Sequence, residues 1–147
     1  MCFLYSWYNN GMLQNLTRRP LLVELFFSAV VVAGLHYVAL TFSLYWTTDW
    51  FDILMHFLGG SVIGLGAAFV FFTSGYIPVT RQIRNFSLIL IVMIFSVLVV
   101  GLAWEVWELF AGFTDRFNEL PDTILDIIMD TLGGITAFYY VKRKINE

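Results

Sequence analysis

Four apolar runs, at about residues 21–46, 51–73, 86–111 and 121–141, dominate the chain, and each is long enough to cross a bilayer. A hydrocarbon core about 30 Å thick takes roughly twenty residues of helix, since a helix rises about 1.5 Å per residue. In lipid every backbone N–H and C=O must find its partner inside the protein, so runs of this kind become helices. The fold class that follows is all-α: a polytopic membrane protein with four transmembrane helices, in a single domain covering 1–147. Composition agrees, because 59% of the residues are hydrophobic, 13% are charged and the mean hydropathy is +0.78. Soluble domains rarely show that balance. The bilayer is the partner this composition implies, and no nucleic-acid partner is expected. The single cysteine, Cys2, excludes an internal disulfide and a cysteine metal cluster.

The ends of the runs carry the usual punctuation. Residues 1–19 hold Phe3, Tyr5, Trp7 and Tyr8, amphipathic rings that favour the headgroup level, so this segment reads as interfacial. Arg18-Arg19 before an apolar run matches the start of an export signal. The run that follows is too long for a signal core and lacks a small-residue cleavage site, so 21–46 reads as the first span. Asp49 is placed to cap the second span. Gly75, Pro78, Arg81 and Arg84 make a polar connector, and Pro121 suits the first turn of the fourth helix. Lys142, Arg143 and Lys144 are expected to end it.

Charge placement sets an orientation. With four spans, both termini and the connector at 74–85 share one side. That side holds Arg18, Arg19, Arg81, Arg84, Lys142, Arg143 and Lys144, seven of the eight basic residues, against Arg116 on the other. The positive-inside rule puts both termini in the cytoplasm of a multi-pass inner-membrane protein. Nine of the eleven acidic residues lie toward the opposite side, Glu24 and Glu147 being the exceptions. The sequons at Asn15 and Asn85 fall on the cytoplasmic side and read as chance matches.

One phrase occurs twice. Residues 52–60 read DILMHFLGG and residues 126–134 read DIIMDTLGG, identical at six of nine positions, with His56 where the later copy has Asp130. Both copies run from outside to inside, so the spans form two parallel two-helix repeats related by a pseudo-two-fold along the membrane normal. Within each copy the polar pair is four residues apart and shares one helix face. Glu105 and Glu108 sit in the last turns of the third span at similar depth. Asp52, His56, Glu105, Glu108, Asp126 and Asp130 therefore share one slab of the outer leaflet, and facing lipid would be costly for all of them. Two like charges about 5 Å apart repel by roughly 3 kcal/mol at an effective dielectric near 20. The cluster thus needs protons, water or a cation. Its donors suit a divalent metal such as Mg, Mn, Zn or Fe, with His56, Glu105, Asp126 and Asp130 as ligands and Glu108 or Asp52 as base.

Simpler readings compete at several positions. Asp52 and Asp122 are also explained as helix-start residues meeting the dipole. His56 could be a hydrogen-bonded packing histidine, and Glu105 and Glu108, flanked by Trp104 and Trp107, could sit at the interface. His36 has no partner one turn away and fits a structural or pore-lining role. The small residues Gly60, Gly64 and Ala68, and Gly133 with Ala137, read as packing faces that let two helices approach closely.

Asp52-x3-His56-Phe57-x2-Gly60, Glu105-x2-Glu108 and Asp126-x3-Asp130-x2-Gly133 together resemble the pattern of the VanZ-like membrane proteins. The aspartate ladder Asp122, Asp126, Asp130 is closer still to a related, uncharacterised set of bacterial inner-membrane proteins, the YjdF-like family. The resemblance covers the second to fourth spans. Asp130 stands where VanZ-like proteins usually carry Asn, and Ile53 where they often carry Lys. It implies an envelope membrane protein, with glycopeptide resistance in one branch, and supplies no reaction. The expected function is metal-assisted chemistry on, or binding of, a lipid-linked or envelope substrate in an outward-facing pocket. A cation or proton pathway, or a non-catalytic membrane partner, uses the same residues differently.

The orientation is directly testable. A periplasm-dependent reporter fused after Lys144 should be silent, and one inserted in the 113–119 loop should be active. The reverse pattern would overturn the outer-leaflet placement of the acidic residues.

Overall fold

A computed structural model of the chain describes residues 2–77, 85–112 and 119–146, with side chains for 20–48, 50–77, 85–112 and 121–146. The elements are α1 (Cys2–Thr41), α2 (Leu44–Thr47), α3 (Asp49–Ala68, continued by a π-helical turn Phe69–Thr73), α4 (Phe86–Ala111) and α5 (Glu119–Asn146). Pro20–Thr41, Trp50–Thr73, Phe86–Ala111 and Pro121–Asn146 are long and apolar enough to cross a membrane. No strand occurs among the described residues.

The helix ends differ from the sequence reading in three places, each with a local cause. The first span stops at Thr41 rather than near Trp46, because Ser43 turns into the left-handed region (φ 57°). The short α2 then brings Tyr45 back against α1, where its hydroxyl and His36 Nδ1 share a 2.7 Å hydrogen bond. At the other end of α1 the helix continues back through Pro20 to Cys2 instead of breaking before the span; the aromatic side chains of that segment lie outside the described residues. In α5 the basic triplet does not end the helix. Cations suit a helix C-terminus, and the helix runs on to Asn146 with Lys142 over the Phe86 ring and Lys144 paired with Glu24 of α1.

The remaining ends follow expectation more closely. Thr48 rather than Asp49 occupies the cap position of α3, without a side-chain bond. Asn85 caps α4 by accepting from the Ser87 amide at 2.9 Å, and Gly112 closes α4 at φ 74°, a conformation that favours glycine. The π turn lets the Ser74 amide reach back five residues to the Phe69 carbonyl before Gly75, at φ 78°, turns the chain.

Close approach of α3 to α5 is the centre of the bundle. A Cβ on Gly60 would collide with the Asp130 backbone, its Cα only 2.6 Å away, and one on Gly133 would run into the Phe57 carbonyl and the Ser61 amide. Further along, Gly64 faces Ala137 and Gly134. The order of these contacts makes α3 and α5 parallel, as the repeated phrase requires. The Ser61 hydroxyl donates to Phe57 O at 2.9 Å and across the interface to Gly133 O at 3.2 Å. In a bilayer, apolar burial between helices gains little over lipid, so close packing and such interhelical bonds hold the pair. α4 packs against both α3 and α5, and Gly134 accepts Val97 and Ile94.

Beyond the site end, Ala67, Ala68, Phe69, Ile89, Met93, Ala137, Phe138 and Val141 form an apolar core that Leu21 of α1 joins. Near the site end, Ala39 of α1 packs with Phe51 and Met55. Between those two anchors α1 is largely exposed, as are Phe95 and Phe110 of α4. These surfaces suit lipid.

The glycine contacts predict a sharp contrast between neighbours. Gly60→Ala and Gly133→Ala push a methyl into backbone that cannot rotate away, and each should cost about 1–3 kcal/mol or more. Gly59→Ala, where nothing lies within 4 Å, should leave the melting temperature in detergent unchanged or slightly raised, since Ala favours helix by up to about 1 kcal/mol. Equal effects at positions 59 and 60 would contradict the close α3–α5 contact.

Candidate functional site

Each helix delivers its polar groups for a local reason. Asp52 and His56 lie one turn apart on α3, Asp126 and Asp130 one turn apart on α5, and Glu105 and Glu108 on one face of α4. Because Gly60 and Gly133 let α3 and α5 nearly touch, the preceding turns of the two helices converge. The six residues singled out from the sequence meet there, around the His56 ring.

Three carboxylates face the imidazole. Asp52 Oδ1 is 3.7 Å and Asp126 Oδ1 3.8 Å from Nε2, while Asp130 Oδ1 is 3.5 Å from Nδ1. Two sets of three have ligand atoms within 4.8 Å of one another: Asp52, His56 and Asp126, and His56, Glu105 and Glu108. His56, Glu105, Asp126 and Asp130 are buried, Asp126 to the point of being 3% exposed. Asp52 and Glu108 are half-buried at the rim. Despite that burial, Asp126 Oδ1 and Glu105 Oε1 have no hydrogen-bond partner. A buried carboxylate oxygen without a donor is expensive, and its usual remedies are a proton, a water or a cation.

Asp130 stands apart from both metal-capable sets. Its carboxylate lies against α4 at Gly101, where a Cβ would meet Asp130 Oδ2 and oblige the carboxylate to shift. Gly101 lies one turn before Glu105 on α4 and is not among the small residues that the sequence analysis singles out. A glycine one turn from a buried carboxylate was the available signal. Asp122, by contrast, is exposed at the start of α5, as a residue meeting the helix dipole would be. Arg116, the one basic residue expected on this side, lies outside the described residues.

The rim is aromatic. Tyr45 packs edge-on against Phe51 at 5.8 Å, His36 stacks edge-on against Trp104 at 6.0 Å, and Trp104 lies 4.9 Å from Trp107. His36 thus has a structural partner set, Tyr45 and Trp104, that sequence spacing could not reveal. Burial first, and then the nearby carboxylates of Asp52 and Glu108, push the Tyr45 phenol up to about 12. The phenol is held as a neutral donor beside an acidic cluster.

Residues 3–146 match the family model described as "Predicted membrane protein (DUF2238)", and the chain belongs to that family. It is a membrane protein. No curated protein and no solved structure matches the chain. The family match carries the coarse expectation of an uncharacterised membrane-protein family without singling out VanZ-like or YjdF-like relatives.

The raised Tyr45 pKa has a measurable sign. Its folded value near 12 lies above the ordinary value of 10.0. Its contribution to stability is therefore complete below pH ~10 and lost as pH climbs through ~12. A difference titration of wild type against Tyr45→Phe, followed by phenolate absorbance, should show a step near 12. A step near 10 would mean that Tyr45 is solvated and stands away from the acidic rim.

Proposed function

We propose that this protein is a multi-pass inner-membrane protein, with both termini cytoplasmic, whose outward-facing pocket binds a divalent metal and presents it to a lipid-linked or envelope substrate. The resemblance to VanZ-like and YjdF-like envelope proteins supports that setting. The observation that carries the reading is the spacing around His56 Nε2. Two carboxylate oxygens stand 3.7 and 3.8 Å away, beyond good hydrogen bonds. Ligands bound to one metal at about 2.1 Å lie roughly 3.0–3.5 Å apart, so a small contraction of Asp52, His56 and Asp126 makes a coordination set. A cation there also satisfies Asp126 Oδ1, which otherwise lacks a donor.

In this reading Asp130 serves His56 rather than the metal. Facing Nδ1 at 3.5 Å, it accepts the second ring N–H, fixes the tautomer and leaves Nε2 free to ligate, as carboxylates behind metal-bound histidines do. Gly101 keeps the room that this arrangement needs. A bound divalent ion would supply Lewis acidity and activate water near neutral pH. Asp52 and Glu108, at the half-buried rim, are the groups a substrate meets first.

A proton or cation pathway fits less well. Further along from the cluster, Met93 and Val97 are fully buried, Met93 in the apolar core with Ala67 and Ala68 and Val97 against Gly134. That apolar layer is a poor relay.

Melting in detergent with EDTA, Mn or Zn tests the proposal. Metal at a hundred times its dissociation constant adds about 2.7 kcal/mol, so wild type should melt several degrees higher with the right ion than with EDTA. Asp126→Asn should lose the response. Asp130→Asn should keep it but need roughly 10–100-fold more metal. A wild type indifferent to every metal, together with Asn variants that melt higher, would sink the metal site.

A further inference from the structure

We infer that the pocket holds a second divalent cation, on the α4 side of His56, held by Glu105 and Glu108. The inference rests on the metal reading above and extends it. Two metal-capable sets share His56, one with Asp52 and Asp126 and one with Glu105 and Glu108. A single imidazole nitrogen binds one metal, and Nδ1 is turned toward Asp130. The second ion therefore relies on carboxylates, which favour a hard cation such as Mg or Mn that retains water.

The second observation is independent of acidity as such. Each set contains its own buried carboxylate oxygen without a hydrogen-bond partner: Asp126 Oδ1 in the first, Glu105 Oε1 in the second. Both residues are more than nine-tenths buried, at 3% and 6% exposure. A cation bound by Asp52, His56 and Asp126 answers the first oxygen and leaves the second bare. Charge points the same way. If all five carboxylates ionise around a neutral imidazole, they carry five negative charges, of which one divalent ion leaves three and a second leaves one. Glu105 and Glu108 are on one face of α4 within a turn of each other, so both can reach one ion without moving the helix.

Metal stoichiometry decides the matter. Full-length protein in detergent, loaded with Mn and freed of excess ion, should hold two Mn per chain by elemental analysis, with the exchange-coupled paramagnetic resonance signal of a close pair. Glu108→Gln should fall to one Mn and show an uncoupled signal. Glu105→Gln provides the same readout if Glu108→Gln fails to fold. Asp52→Asn should also fall to one, retaining the ion on α4. One Mn per wild-type chain would overturn the second cation and leave the first standing, whereas none would overturn both. Two Mn that survive Glu108→Gln, or two without coupling, would place the second ion elsewhere and refute the inference.

Discussion

Everything in the bundle depends on how closely α3 can approach α5. At Gly60 and Gly133 no side chain fits between the helices, and the neighbouring atoms are backbone rather than flexible side chain. Backbone contact of this kind fixes separation and register together, because neither helix can slide without bringing a Cβ against a carbonyl. The polar residues sit one to two turns from the glycines. Their convergence follows from the packing and needs no attraction of their own. That matters, since five carboxylates would not assemble spontaneously. The packing energy of apolar and small residues further along, at Gly64, Ala137 and Gly134, opposes the repulsion at the site end.

The repeat is exact enough to build the contact and inexact where chemistry is needed. Asp52 corresponds to Asp126, and His56 to Asp130. Had both second positions been aspartate, the interface would have presented four acids symmetrically and nothing to order them. With histidine in one copy, one ring nitrogen faces its counterpart Asp130 and the other faces the two first-position aspartates. A single substitution between copies turns a ring of like charges into an oriented donor set. The glycine pairs diverge as well: Gly134 is packed against Val97 and Ile94 of α4, while its counterpart Gly59 meets nothing within 4 Å. The later glycine is therefore enclosed by α4, whereas the earlier one opens onto free space.

Much of this was legible from the chain itself, and the reasons for the gaps are physical. Four spans, their parallel pairing, the small-residue faces and the clustering of six polar residues follow from hydropathy, a repeated phrase and helical spacing, all local or periodic signals. The end of the first span was not legible. Residues 42–46 are as apolar as a helix interior, and only tertiary pairing of Tyr45 with His36 tells the chain to turn at Ser43. The persistence of α5 through its basic triplet was also hidden, because charges that mark the edge of a bilayer are compatible with continued helix. The grouping of the site could not be derived either. Depth put Asp130 level with the other candidate residues, but only the azimuth of each side chain shows that its carboxylate faces Nδ1 while Asp52 and Asp126 face Nε2.

Position along the membrane normal then constrains what such a site can serve. The buried members of the cluster adjoin a rim made of Asp52, Glu108, Tyr45 and the tryptophans, whereas Met93, Val97 and the alanines of α3 are buried and apolar further along the bundle. The neutral phenol of Tyr45 gives that rim a donor among acids, and the indoles flanking it favour headgroup depth. A cluster that is acidic near one end of the bundle and followed by apolar core fits the proposed binding of a ligand at headgroup depth better than passage along the bundle. On the proposed reading, the substrate would come to the charge cluster with the membrane, and the cluster would have no need to carry anything across it.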